Sequence, residues 1–388
     1  MKFFELLQIT LGNREAFSET PTIEEWHEIY DNATRQALIG VLFSGVERLP
    51  AEQRPPREMI LPWFMVVSKI EKRNALMNEA CVKVTEKFIR DGFDCCILKG
   101  QGVAAYYPAP LRRQSGDIDA WVLPKERNGK DVDQCARAVT DYAHQFTPDT
   151  KASYHHVDFP AMRDVAVEIH YRPSYMFCPR ANSRLQKYFY GESSKQFLNT
   201  IKMGYGKVSV PTAEFNAVFL LSHIYRHLYE EGIGLRQLLD YYYMLVSTGL
   251  AEDNEKREAV LMQLERCGMT RIARAVMYVL GESFGMQKKH MLIEPDERTG
   301  KFLLNEIMLT GNFGQYDERV SDATRNSAVG RNRQRLKRDV MLFRYFPEEC
   351  LSEPFFRMYH WWWRKRMREG LTPDPSPKGE GDFKGRGK

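Results

Sequence analysis

The sequence lacks any apolar run near the ~20 residues that a helix needs to cross a bilayer. Its first residues, Met1 to Leu7, are interrupted by Glu5 and followed by the polar Gln8. They form neither the apolar core nor the small-residue cleavage site of a signal peptide. The sequence therefore predicts a protein without a transmembrane segment that stays in the cytoplasm.

The cysteines show no pattern that predicts disulfide pairs. The chain has seven cysteines, an odd number, and none forms a Cys-x-x-Cys motif. Cys95 and Cys96 are adjacent within an apolar run, which is typical of buried thiols. This excludes a disulfide framework and favours a reducing compartment.

Most of the net positive charge lies at the C-terminal end of the sequence. The formal net charge is +5, but residues 364–388 hold eight Lys and Arg against four Asp and Glu. The rest of the chain is therefore close to neutral and lacks the basic footprint of a dedicated DNA or RNA binder. We expect a small or local substrate and no nucleic-acid partner.

The order of periodic patterns predicts an α+β fold, with a small mixed sheet flanked by N-terminal helices and a C-terminal helical domain. The predicted regions are 1–91 (helical), 92–211 (α/β core), 212–370 (helical) and 371–388, a disordered tail rich in Pro, Gly and charge. The predicted elements are helices from Thr22, over 60–90, from Val103 to Tyr107, over 131–146, and at 215–229 and 235–245, and strands over 93–98, 117–122, 154–159, 165–171 and 207–210.

Asp117 and Asp119 carry the clearest chemical signal. Residues i and i+2 of a strand point to one face, so these carboxylates project together. Two acids so close repel each other unless a cation lies between them, and Mg²⁺ prefers oxygen ligands. Glu168, inside an apolar strand, is the predicted third acid, because an unpaired acid is costly there. Asp158 and Asp164, near the predicted turn 160–163, are weaker candidates.

The surroundings of the acid pair separate it from Asp131 and Asp133, a second Asp-x-Asp that we interpret as a solvated helix start. The turn at Lys99, Gly100 and Gln101 follows a strand, and its backbone N–H groups would suit a phosphate. Lys99, together with Arg113, adds positive charge for a triphosphate. Either cation could instead be a surface charge or a partner of the acids.

Two segments resemble a known family: Leu98-Lys99-Gly100 with Arg113-x-x-Gly116-Asp117-Ile118-Asp119, and Pro211 followed by His223-Ile224-Tyr225-Arg226-His227 and Gly232-Ile233-Gly234-Leu235-Arg236-Gln237-Leu238-Leu239-Asp240. They are similar to a broad bacterial family of uncharacterised nucleotidyltransferases within the superfamily that includes DNA polymerase β. The resemblance covers roughly residues 60–250. It implies a nucleotidyltransferase domain at 92–211.

The resemblance also implies site roles. Asp117 and Asp119 would hold two Mg²⁺ ions and Glu168 would complete the metal site. The implied nucleotide-binding residues are Lys99, Gly100, Gln101, Arg113, Gly116, His223 and Arg236. The family usually has Gly-Ser or Gly-Gly in the turn, whereas this chain has Gly100 and Gln101, so Lys99 is a candidate replacement for the lost hydroxyl contact. Arg226, Arg236 and Asp240 either line the nucleotide cleft or join helices through buried ion pairs.

The leading hypothesis is an enzyme that moves a nucleoside monophosphate from an NTP, with ATP as the expected donor, to a hydroxyl of a small molecule or protein and releases pyrophosphate. One alternative is a nucleotide-binding or regulatory protein that keeps the fold without turnover. A second is an RNA-directed nucleotidyltransferase, against which the near-neutral body argues. The sequence contains no Gly-x-x-x-x-Gly-Lys-Ser/Thr motif, so P-loop chemistry is excluded.

Overall fold

A computed structural model describes residues 1–127, 129–159, 165–319 and 327–369. The predicted turn at 160–163, Asp164 and the predicted tail at 371–388 lie outside these described residues. No helix of the described part of the chain is long and apolar enough to cross a membrane.

The described elements alternate between long helical stretches and short strands. The helices are α1 (Lys2–Leu11), α2 (Ile23–Arg35), α3 (Ile39–Arg48), α4 (Arg57–Arg90), α5 (Gln101–Ala104), α6 (Val132–His144), α7 (Pro179–Leu198), α8 (Ala213–Glu230), α9 (Leu235–Thr248), α10 (Asn254–Arg266), α11 (Thr270–Phe284), α12 (Glu297–Thr310), α13 (Ala328–Phe343) and α14 (Pro347–Glu369). The strands are β1 (Phe93–Ile97), β2 (Ile118–Pro124), β3 (His156–Phe159), β4 (Val167–His170), β5 (Thr200–Met203) and β6 (Gly206–Ser209).

The predicted α+β class is confirmed. Four strands form a mixed sheet in the order β1-β2-β4-β3, in which β2 and β4 are parallel and the other pairs antiparallel. The predicted strand at 207–210 corresponds to β6, which pairs with β5 in a separate hairpin. The sequence prediction did not include β5, although Thr200–Met203 alternates polar and apolar residues as a strand does.

Local signals placed several helix ends correctly. Thr22 caps α2 by accepting a hydrogen bond from the Glu25 backbone N–H at 3.2 Å, and the Glu25 carboxylate accepts one from the Thr22 N–H at 2.8 Å. This is the capping box that the sequence predicted. The short helix α5 starts at Gln101, two residues before the predicted Val103.

Alternation along the central strands separates two faces of the sheet. Ile118, Ala120 and Ile169 are buried on one face and belong to a hydrophobic cluster that extends through all three regions predicted between residues 1 and 370. On the opposite face, Trp121 packs against Phe197 of α7 and Phe215 of α8, with ring centroids 5.0 and 5.4 Å apart. Helices α7 and α8 therefore cover the face that also carries Asp119, which precedes Trp121 by two residues.

Gly102 is where α5 touches the strand before it. A Cβ atom at this position would lie 2.5 Å from the carbonyl oxygen of Ile97. We expect Gly102→Ala to lower the free energy of unfolding by about 1–3 kcal/mol, because backbone must shift to admit the methyl group. Gly191→Ala is the control, since Gly191 is exposed within α7 with nothing within 4 Å. It should stabilise the helix by up to about 1 kcal/mol. Urea unfolding measures both, and equal effects would contradict the steric argument.

Candidate functional site

Four carboxylates lie near one another at one end of the sheet. Register pairs Asp119 of β2 with Glu168 of β4, and Glu168 with Asp158 of β3. Residues paired in this way point to the same face. Asp117 lies immediately before β2, two residues from Asp119. The strand pairing therefore brings together Asp119 and Glu168, which are 49 positions apart in the sequence and which the sequence analysis assigned to one site.

Two nitrogen-bearing side chains neutralise the buried acids. Lys99 Nζ lies 3.0 Å from Asp119 Oδ1, and His170 Nε2 lies 2.9 Å from the same oxygen and 3.3 Å from Glu168 Oε2. Burial raises the pKa of Asp119, but Lys99 and His170 outweigh burial and hold it well below its usual value. Burial likewise opposes ionisation of Glu168, yet the hydrogen bond with His170 lowers its pKa to about 2. Both acids are therefore anionic at neutral pH.

Asp117 experiences the opposite effect. The negative charge of Asp119, reinforced by burial and by Glu168, raises the pKa of Asp117 to about 6, although Lys99 opposes the rise. Repulsion between the two aspartates is the expected result of placing like charges on one face. Asp117 thus differs from Asp119 and Glu168, whose pKa values are lowered by their partners.

Part of this cluster has the spacing of a metal site. Ligand atoms of Asp119, Glu168 and His170 lie within 4.8 Å of one another. Among the described residues, Asp117 belongs to no three-ligand group with that spacing. An ion held by all three predicted acids therefore requires the Asp117 side chain to move toward Asp119 and Glu168.

A recess opens between the sheet and the C-terminal helices beside these acids. Its volume is about 470 Å³ including the part open to solvent, and little of it is wide enough for a water molecule. Side chains must therefore move to admit a nucleotide. The lining residues are Lys99, Gly100, Arg113, Gly116, Asp117, Asp119, Leu220, His223, Ile224, Arg236, Gln237, Asp240 and Phe313.

Sequence comparison assigns the chain that forms this recess to a family. A profile of the family described as uncharacterised nucleotidyltransferase matches residues 23–285, more than half of the chain. The chain belongs to this family. The match includes every residue predicted for the site and extends beyond the 60–250 segment in which we noted the resemblance.

Other comparisons add little to the family assignment. A crystal structure of an antigenic nucleotidyltransferase-like protein from Paracoccidioides brasiliensis is similar, with 11% sequence identity, coverage of 57% of this chain and 95% of that chain, and a TM-score of 0.30. A TM-score this low carries no argument. No curated protein sequence matches the chain.

Arg113 of this nucleotidyltransferase family member lies in the recess wall within a buried ion pair. Its Nε and Nη2 donate to Asp240 Oδ1 and Oδ2 at 2.6 and 2.7 Å, and its Nη1 donates to Ser115 at 3.0 Å. Tyr107 donates a third hydrogen bond to Asp240, at 2.6 Å. All three guanidinium nitrogens thus have protein partners, so Arg113 reaches a phosphate only if this pair opens, and that predicted contact stays a prediction. Asp240 joins α9 to the segment before β2 through this ion pair and also lines the recess, so both roles left open for it stay open.

Gln101 points into the protein interior. It accepts a hydrogen bond from Ser115 at 2.6 Å and donates to Asn78 at 2.5 Å, and its side chain is buried. A contact between this side chain and a nucleotide would require these bonds to break, whereas the phosphate contact predicted through the backbone N–H groups of the turn would not. Gly100 stays at the recess, and its φ of 58° is a left-handed conformation that favours glycine. In this turn, Gly100 therefore lines the recess, whereas the side chain of Gln101 packs in the interior beside it.

Arg236 is the better-placed cation on the helical side. Its Nη1 donates to the Gln114 carbonyl at 2.9 Å, and its guanidinium lies 5.2 Å from the centroid of the Phe313 ring. Its Nε is buried without a hydrogen-bond partner among the described residues. Burial lowers the pKa of Arg236 to about 10, so it remains a cation at neutral pH. A buried charge with an unused donor fits an anionic ligand.

Three histidines, one before β3 and two on α8, surround the side chain of Arg226. The Arg226 guanidinium lies 2.9 Å from His155 Nε2, 3.4 Å from His223 Nδ1 and 3.1 Å from His227 Nε2. Burial, with Lys99 contributing, holds the pKa of His223 well below its usual value. His223 is therefore neutral and reaches the recess beside Arg236.

The sequence did not point to His155 or His156, and for His170 it left open a core histidine or a site residue. In the structure His170 contacts both Asp119 and Glu168. Register pairs His156 with His170, and His156 Nδ1 lies 3.7 Å from Glu168 Oε2. Same-face spacing two residues from Glu168 was the available signal for His170. For His156 the strand register was needed.

Proposed function

We propose that this protein is a magnesium-dependent nucleotidyltransferase that moves a nucleoside monophosphate from an NTP, with ATP as the expected donor, to a hydroxyl of a small molecule or protein. The pairing of Asp119 with Glu168 on parallel strands, with Asp117 alongside, supports it most strongly. Such a set of carboxylates is costly to bury and is explained by a function that needs negative charge there.

The residues present fit Mg²⁺. Asp117, Asp119 and Glu168 supply the oxygen ligands that this ion prefers. The pKa of Asp117, raised to about 6 by Asp119, reflects repulsion that a divalent cation would relieve. We propose that these three residues hold two Mg²⁺ ions. When bound, the ions supply positive charge that stabilises the attacking and leaving oxygens of an in-line displacement.

The chain's own cations would hold the triphosphate. Lys99 lines the recess and can turn from Asp119 toward a phosphate, because its Nζ is carried on a flexible stem. Arg236 offers its unused Nε from the opposite wall. Gly100, Gly116 and His223 complete the recess. The acceptor hydroxyl attacks the α-phosphorus, pyrophosphate leaves, and a carboxylate of the site accepts the hydroxyl proton.

The proposal is tested by asking which phosphate of the NTP is transferred to the acceptor. The purified chain and host extract are incubated with NTP labelled at the α- or the γ-phosphate, with Mg²⁺ or with EDTA. We expect label to reach an acceptor only from the α position, only with Mg²⁺, and with equimolar pyrophosphate. Transfer of the γ label would indicate a kinase and contradict the proposal. Labelled RNA as the product would support the RNA-directed alternative.

One observation favours a second candidate, a nucleotide-binding protein without turnover. Lys99 and His170 already neutralise Asp119, so the buried acid is stable without an ion. Calorimetric binding of ATP, with no pyrophosphate formed under any of the conditions above, would support this alternative. In either case we propose the cytoplasm as the location, because all seven cysteines are free thiols.

A further inference from the structure

His170 lies between two of the acids at distances that suit a shared ion. Its Nε2 is 2.9 Å from Asp119 Oδ1 and 3.3 Å from Glu168 Oε2, and the three ligand atoms lie within 4.8 Å of one another. Ligands at right angles around an ion with bonds of about 2.1 Å are separated by about 3.0 Å. The spacing therefore matches three ligands on one side of a single ion.

Strand pairing holds these three side chains in place. Glu168 and His170 share a face of β4, and Asp119 is paired with Glu168 on the adjacent parallel strand β2. Both strands are interior to the four-stranded sheet. His170 and Asp119 are each only 2% exposed, so neither ring nor carboxylate can turn toward solvent without disturbing the packing. A ligand set held by rigid strands is preorganised for a metal.

We propose that His170 is a metal ligand, and that Asp119, Glu168 and His170 form a mixed nitrogen and oxygen site that prefers a divalent first-row transition metal to Mg²⁺. This rests on the proposed function, since it concerns one of the two metal positions of that site. Mg²⁺ takes oxygen ligands and keeps its waters, whereas an imidazole nitrogen favours transition metals. Binding exchanges the proton on Nε2 for the ion.

Lys99 is compatible with an ion at this position. Its Nζ contacts Asp119 Oδ1, the oxygen that His170 also contacts. A divalent ion there would repel the ammonium group, and Lys99 already lines the neighbouring recess. The side chain therefore has another place to go.

Mn²⁺ is the probe for this site because it is paramagnetic. The full chain is titrated with Mn²⁺ and the free ion is followed by electron paramagnetic resonance, with Mg²⁺ as competitor. We expect Mn²⁺ to bind at least about tenfold more tightly than Mg²⁺. Electron spin-echo modulation should show a directly bound nitrogen, and its pattern should change when the protein is labelled with nitrogen-15 histidine.

Two variants assign that nitrogen. His170→Gln should remove the nitrogen coupling and weaken Mn²⁺ binding by at least about tenfold, with a smaller effect on Mg²⁺. His170→Asp replaces the nitrogen with an oxygen ligand and should keep Mn²⁺ binding while losing the coupling. His144→Gln is the control, since His144 on α6 contacts the Thr150 carbonyl away from the acids. Circular dichroism checks that each variant folds.

Bound Mn²⁺ without nitrogen coupling in the wild-type protein would overturn the inference, as would coupling that persists in folded His170→Gln. Failure of the proposed function has a different outcome. Nitrogen coupling without pyrophosphate release from any NTP supports the His170 site and counts against the transferase, whereas pyrophosphate release without coupling does the reverse.

Discussion

Asp119→Asn is expected to lower the rate of Mg²⁺-dependent pyrophosphate release by about 1,000-fold or more, which corresponds to about 4 kcal/mol in the activation barrier. Asparagine keeps the size of the side chain and removes the charge. Asp119 is buried at the centre of the acid cluster, in contact with both Lys99 and His170. Its replacement therefore takes an anionic ligand from the proposed metal site and removes the carboxylate that pairs with Lys99.

The second Asp-x-Asp of the chain supplies the matched control. Asp131 caps α6 by accepting a hydrogen bond from the Gln134 N–H at 2.8 Å, and asparagine caps helices equally well. Asp131→Asn should keep full activity. Both variants are compared by initial rates of pyrophosphate release and by near-ultraviolet circular dichroism. If folded Asp119→Asn retained wild-type turnover, the carboxylates could not be the metal ligands.

Asp240→Asn is expected to lower the free energy of unfolding by about 3–5 kcal/mol. The cause is the Arg113 cation, which is 5% exposed and would remain buried without its anion. Tyr107 would also lose a charged acceptor. Since Asp240 lies on α9 and Arg113 before β2, this loss should loosen the attachment of the helical part to the sheet. Guanidinium unfolding followed by fluorescence measures the change.

We expect the Arg113–Asp240 pair to have a large effect on stability because it is buried. An ion pair on the surface tests this reasoning. Lys301 and Glu297 are also 2.6 Å apart, with side chains that are 62% and 68% exposed. Glu297→Gln should change stability by less than about 0.5 kcal/mol. The double variant Arg113→Met with Asp240→Leu should recover much of the loss, because it removes both charges together. A loss of equal size in the double variant would show that charge is not the cause.

The acid pair is an example of a feature that the local sequence pattern can predict. Asp117 and Asp119 could be found because strand alternation and the neighbouring glycine turn are short-range features, and the same reasoning correctly read Asp131 and Asp133 as a helix start. Strands β1, β2, β3 and β4 and helices α2 and α4 were predicted for the same reason.

Arg113 and Gln101 show where local pattern stops. Both were predicted to contact the nucleotide because of their positions beside the acids and the turn. Their partners are Asp240, 127 residues from Arg113, and Ser115 and Asn78 around Gln101. Nothing in the spacing of Arg113 distinguishes a cation free for phosphate from one already held by a distant carboxylate.

From the sequence alone we could predict the α+β class, the acid pair with Glu168 as its third acid, and the family resemblance, because each rests on patterns within short segments of the chain. The tertiary structure showed which charges are already paired and which remain for a ligand. It placed His170 between Asp119 and Glu168 and left Arg236 with an unused donor. Those outcomes depend on strand register and on packing of α8 and α9 over the sheet, which join residues that are distant in the sequence.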